Sequence, residues 1–188
     1  ILLHPTSLPG GDLGAAYWFV DWLAAAGQTY WQILPLNLVP AGGSPYSALS
    51  AFGGNTSLIS AAKLAEDGLI DEASVGNDRD NVLGEAFERF RAGGESETRL
   101  AYEAFARENA WWLDDLALFI ALKNAHEGKA WADWAAPLRM RERDALDKSR
   151  VQWKREIEAV KFAQFLFFEQ WAAVKAYANE RGVQVIGD

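Results

Sequence analysis

Three short runs, "ILL" at residues 1–3, "YWQILPL" at 30–36 and "VQVIGD" at 183–188, carry apolar residues with little polar alternation. A strand with one wet face alternates apolar and polar residues. A run that does not alternate fits a strand covered on both faces, as in parallel sheets. Between the first two runs, Ala16, Phe19, Val20 and Leu23 recur at helical spacing, and Gly27 stands where a helix C-cap belongs. That spacing predicts a helix near 15–26. Strand, helix and strand joined by short connections make a right-handed βαβ unit with parallel strands. The fold class expected is therefore α/β.

From about 59 to 182 the pattern is almost wholly helical. "GLIDEASVGNDRDN" is a polar break, and amphipathic helices are predicted near 82–92 and 96–109. "WWLDDLALFIALK", 111–123, is apolar nearly all round, which predicts an interior helix. "EGKAWADWAAPLRMRERD" reads as irregular or loosely helical. A long helix then starts at Val151 and stops at Gly182. Trp111, Trp112, Trp153 and Trp171 are expected in the core, with Trp131 and Trp134 at the surface. Asp114 and Asp115 are adjacent, so they do not share a helix face, and a cap or salt bridge is expected for each. These patterns divide the chain into a βαβ unit with a substrate loop at 1–58, a helical insertion at 59–150, and a long helix with the next strand at 151–188. A few parallel strands leave unpaired edges and bare apolar faces. The sequence is accordingly expected to be the opening part of a larger α/β barrel.

Composition narrows the function. Asp plus Glu number 26 against 18 Lys plus Arg, a net charge of -8 that repels nucleic-acid phosphates. There is no cysteine, so disulfides and thiol catalysis are excluded. His4 and His126 are far apart in sequence, and no HExxH occurs, so no metal site is expected. Neither GxGxxG nor GxxxxGK[ST] is present, no GxSxG elbow occurs, and no cofactor is expected. No apolar run is long enough for a membrane span. "ILLHPTSLPG" lacks a basic leader, and a cytoplasmic location is expected.

In parallel α/β barrels the ligand meets the carboxyl ends of the strands. Two positions qualify. Tyr46 lies in the glycine-rich loop "GGSPYSALSAFGGN", 42–55, after the second run, and Asp188 ends the third. A tyrosine offers a flat apolar face and a hydroxyl, which suits a sugar ring. A carboxylate accepts hydroxyl hydrogen bonds. Packing of Tyr46 within its own loop is the alternative. His4 also follows a predicted strand and reads as a structural hydrogen bonder.

"LLHPTSLPG", "GDLG", "AGQTYWQILPL", "SPYSALSAFGGN", "LAEDGLI", "ENAWWLDDLALFIALK", "FAQFLFFEQW" and "ERGVQVIGD" occur in this order. Together they resemble the amino-terminal part of the bacterial 4-alpha-glucanotransferase, or amylomaltase, family. The resemblance implies the first strands of a (β/α)8 TIM barrel with a large helical insertion. It implies transfer of an α-1,4-glucan segment to another glucan or to glucose by retaining double displacement. It places the catalytic carboxylates beyond residue 188, so none is assigned here. It implies substrate contacts by Tyr46 and Asp188, with Ser44 of the same "SPY" as a further glucan contact. Partners implied are α-1,4-glucans, maltooligosaccharides and acceptor glucose, without nucleic acid or membrane. An α-glucan hydrolase and a non-catalytic glucan-binding helical module are the competing readings. Three departures stand out: Gly10 runs straight into Gly11 where the family carries a longer link, the chain is one residue shorter after "GDLG", and Ala41 replaces an aromatic residue, which bears against an accessory stacking contact for long glucans.

Overall fold

The computed structural model describes residues 1–40 and 42–187. Two compact units are present: Ile1–Gly94 with Gln164–Asp188, and Glu95–Ala163.

In the first unit, helix α1 (Gly14–Ala25) forms where the apolar spacing predicts it and buries Ala16, Phe19, Val20 and Leu23. It ends in a Schellman motif. The Gln28 N–H donates to the Leu23 carbonyl at 2.9 Å and the Gly27 N–H to the Ala24 carbonyl at 3.0 Å. Gly27 takes a left-handed φ of 69°, which a Cβ would penalise. Strand β1 (Tyr30–Gln32) follows and pairs in parallel with β2 (Gln184–Ile186), Trp31 opposite Val185. The expected parallel pairing is therefore present. The run "ILL" is reduced to a single parallel bridge from Leu2 to Gln32.

Burial differs from the expectation for these runs. Trp31 is fully buried, and its ring meets Phe19 of α1 edge-on at 5.2 Å. Its strand neighbour Tyr30 is exposed, as are Leu2 and Ile186. Side chains alternate across a strand, and α1 covers the Trp31 face. Among the described residues the other face is not sealed. Helices α2 (Ala61–Glu66) and α3 (Arg79–Ala92) complete this part of the unit. Helix α3 is capped by Asp78, whose carboxylate accepts the Asp80 N–H at 3.0 Å, and it buries Val82, Ala86, Phe87 and Phe90.

The second unit contains α4 (Glu97–Glu108), α5 (Ala110–Ala125), α6 (Ala136–Arg139), α7 (Arg143–Gln152) and the first turns of α8 (Lys154–Glu180). The long helix predicted from Val151 is thus interrupted. Trp153 sits between α7 and α8 with φ −106° and ψ 26°, outside helical geometry. A core cluster joins Ala117, Leu118, Ala121 and Leu122 of α5 to Trp134 and Ile157.

The tryptophan assignments divide. Trp112 is buried, and its Nε1 donates to Asn109 Oδ1 at 2.9 Å. Trp111 is instead 70% exposed. Successive helical residues point about 100° apart, so one of the pair faces outward even in an apolar helix. Trp134, expected at the surface, is buried: it stacks on His126 at 5.0 Å and contacts Phe119 at 5.7 Å. A short 3-10 turn, Trp131–Asp133, leads into it and leaves Trp131 exposed. The two aspartates diverge as expected, Asp114 to Lys161 at 2.6 Å and Asp115 to Arg141 at 2.8 Å. Among the described residues no helix is long and apolar enough to cross a membrane.

Candidate functional site

Parallel pairing brings the carboxyl ends of β1 and β2 together. Just past β1, the Ile33 N–H donates to the Ile186 carbonyl at 2.9 Å. The loop bearing Tyr46 and the chain leading to Asp188 therefore leave the sheet at one end. The bridge at Leu2 is parallel too, so His4 follows at that same end.

The loop after β1 is folded back on itself. The Asn55 N–H donates to the Leu36 carbonyl at 2.8 Å, Leu38 to Gly53 at 2.8 Å, and Leu49 to Leu38 at 2.7 Å. Asn37 forms an antiparallel bridge with Gly54, and its side-chain amide donates to the carbonyls of Ser50 at 3.1 Å and Ala51 at 2.9 Å. The Ser50 hydroxyl then accepts the N–H groups of Phe52 and Gly53. At the tip, the Ser47 N–H donates to the Ser44 carbonyl at 2.8 Å and the Tyr46 N–H to Ser44 Oγ at 3.3 Å. That side-chain turn is the kind serine favours. Ser44 and Tyr46 thus share one exposed turn, with Tyr46 64% accessible, and Phe52 is exposed in the same loop. Ala41 and Asp188, the other positions singled out in the sequence, lie outside the described residues.

The base of the loop is anchored from α8. Gln164 is 1% exposed; its Oε1 accepts the Gly54 N–H at 2.7 Å and its Nε2 donates to the Gly54 carbonyl at 2.9 Å. Six residues on, Gln170 repeats this on Ser60, at 2.7 and 3.2 Å. Neither glutamine nor Asn37 is a candidate site residue by sequence pattern alone. The available signal was polar amides set in the apolar run "FAQFLFFEQW", since buried amides require partners.

His4 is buried, as a structural histidine should be. Its Nδ1 accepts the Thr6 N–H at 3.3 Å, capping the 3-10 turn Pro5–Ser7, and lies 2.7 Å from Thr6 Oγ1. Burial holds its pKa below the usual histidine value, opposed by the nearby Pro35 carbonyl. Among the described residues the buried Nε2 has no hydrogen bond of ordinary geometry. A ring that is neutral near pH 7 places no fixed charge beside the strand ends. Among the described residues no group of histidines and carboxylates is arranged to hold a metal ion. The tip therefore offers an aromatic face, hydroxyls and an anchored backbone, features that suit a neutral polyhydroxylated ligand.

Comparison with known proteins supplies the family. A family model described as 4-alpha-glucanotransferase matches residues 3–188. The chain is 43% identical to a 4-alpha-glucanotransferase of Thermus thermophilus, covering 100% of this chain and 41% of that protein. It is 38% identical to the chloroplastic/amyloplastic 4-alpha-glucanotransferase of Solanum tuberosum, covering 100% of this chain and 37% of that one. The chain thus spans about two fifths of the length of the curated relatives it matches. Among solved structures, the amylomaltase of Streptococcus agalactiae in complex with acarbose superposes with a TM-score of 0.90 at 36% identity, covering 100% of this chain and 42% of that one. On the strength of a match that runs through both compact units, the chain belongs to the 4-alpha-glucanotransferase family.

Proposed function

We propose that this chain supplies the amino-terminal part of a 4-alpha-glucanotransferase. Such an enzyme cuts an α-1,4-glucan and passes the new end to the 4-hydroxyl of another glucan or of glucose. The observation that carries this reading is the family match over residues 3–188. The relative that holds acarbose supports α-glucans and maltooligosaccharides as substrates. In this reading the parallel strands are the first of a (β/α)8 barrel: 1–58 is its opening βαβ unit, 59–150 a helical insertion, and 151–188 the next helix and strand. The shared carboxyl end of β1 and β2 supports that arrangement, because barrel ligands bind at that end.

The bond type is retained, so the reaction proceeds by double displacement on a carboxylate pair about 5 Å apart. Those carboxylates belong to residues beyond 188. The part played here is to bind and orient. Tyr46 lies against the sugar beside the scissile bond, its ring on the C–H face. Ser44 holds the turn and reaches the glucan, and Asp188 accepts hydroxyl hydrogen bonds. No cofactor or metal takes part. The net charge of -8 supports a neutral substrate over nucleic acid. The location proposed is cytoplasmic, without membrane association.

Product analysis of the full-length protein with maltotriose tests this. Transfer yields glucose together with oligosaccharides longer than the substrate. Simple shortening would replace the transferase with a hydrolase, and binding without turnover would leave a glucan-binding module. Tyr46→Ala should slow transfer at unchanged thermal stability; wild-type kinetics would remove Tyr46 from the site. Asp188→Asn should cost more, because a charged acceptor is worth about 1.5–3 kcal/mol.

A further inference from the structure

The second unit holds a cleft of about 380 Å³ that the proposed reaction does not use. That volume falls in the range of small-molecule sites, roughly 300–1,000 Å³. Its apolar wall includes Phe119, Trp134 and Leu138, and Trp131, 56% exposed, stands beside them. Charged groups edge the same cleft: Asp115, Arg139 and Arg141.

Asp115 and Arg141 match each other, and Arg139 is held by a carbonyl. Asp115 pairs with Arg141 at 2.8 Å and faces Arg150 at 3.9 Å, while the Arg139 guanidinium donates to the Ala132 carbonyl at 3.2 Å. Arg141 adopts a left-handed φ of 55°, uncommon for a residue with a Cβ. It is the C′ residue of a Schellman motif that closes α6: its N–H donates to the Leu138 carbonyl at 3.0 Å and the Glu142 N–H to the Pro137 carbonyl at 2.8 Å. The Trp134 indole N–H is buried and lacks an acceptor among the described residues. An exposed indole, an apolar wall and rim groups that already hold partners within the unit suit a neutral solute with C–H faces and many hydroxyls. A free anion would have to compete with Asp115 for Arg141 and with the Ala132 carbonyl for Arg139, and a peptide helix would need a longer apolar groove.

We propose that this cleft is an accessory binding site for a short α-linked glucooligosaccharide, with Trp131 as its stacking platform. The choice of α-linked sugar rests on the proposed function; the cleft itself does not. The site is built from residues of the second unit alone, and Tyr46 belongs to the first.

The test follows the tryptophan indole N–H resonances of the full-length protein during titration with maltotriose, cellotriose or glucose 1-phosphate. Maltotriose should shift the Trp131 and Trp134 resonances saturably, and cellotriose should not. Trp131→Ala should weaken the response seen at Trp134 roughly tenfold or more, with thermal midpoint and maltotriose turnover unchanged. Tyr46→Ala should leave the indole shifts as in the parent. No shift with maltotriose, an equal shift with cellotriose, or a tighter response to glucose 1-phosphate would each overturn the proposal. Indole shifts in a protein without transferase activity would instead reject the proposed function and keep the cleft as a sugar site.

Discussion

Gln164 grips Gly54 by both polar groups of its backbone, accepting from the N–H at 2.7 Å and donating to the carbonyl at 2.9 Å. The side-chain amide stands in for a neighbouring strand, presenting the donor and acceptor that a sheet ladder would supply. The clamp spans 110 residues of sequence and fixes the base of the loop whose tip carries Ser44 and Tyr46. Positioning at the tip therefore begins at a buried amide in α8.

Gln164→Leu keeps the volume and removes both partners. Each stranded backbone group costs about 1–3 kcal/mol when buried. The expected result is a lower urea midpoint and faster hydrogen exchange at the Gly54 amide. Unchanged exchange at Gly54 would show that the clamp does not hold the loop.

Gly54 is demanded by close approach. A Cβ built there would overlap the edge carbons of the Phe167 ring. Gly54→Ala should lower stability by about 1–3 kcal/mol through overpacking. Phe167→Leu should recover part of that loss in the double variant, since the two positions share one space. Strictly additive losses in a thermal or urea cycle would contradict the contact.

The lowered pKa of His4 has a definite sign in stability. Above its unfolded value of about 6.5 both states are neutral and the group contributes no slope. As pH falls below that value the unfolded chain takes up the proton first, so stability drops until the folded pKa is passed. His4→Asn retains an acceptor for the Thr6 N–H and removes the titration. Between about pH 7.5 and pH 5.5 the parent should lose more thermal stability than the variant. Equal losses in a paired melting series would remove His4 as a contributor.

Adjacent Trp111 and Trp112 offer a matched comparison. Trp112 is 8% exposed and hydrogen-bonded to Asn109, whereas Trp111 is 70% exposed. Trp112→Ala should cost about 3–5 kcal/mol, and Trp111→Ala should stay near 0.5 kcal/mol or below. Comparable shifts in the chemical denaturation midpoint would mean that the exposed ring is covered in the folded protein.

Several features are legible in the amino-acid sequence alone. Local patterns follow from steric and hydrogen-bonding rules acting over a few residues. The helical spacing of Ala16, Phe19, Val20 and Leu23, the stop at Gly27 and the separate partners of Asp114 and Asp115 are of that kind. The ordered motifs carried the family, because each quotes a run of neighbours. Tertiary structure alone decided that "ILL" pairs through one bridge, that Trp134 is buried and Trp111 is not, and that Trp153 breaks the long helix. It alone brought Gln164 to Gly54 and Gln170 to Ser60. Burial and long-range pairing depend on which surfaces meet after the chain has folded, and a linear pattern records a residue's affinity for an interior without recording its neighbours there.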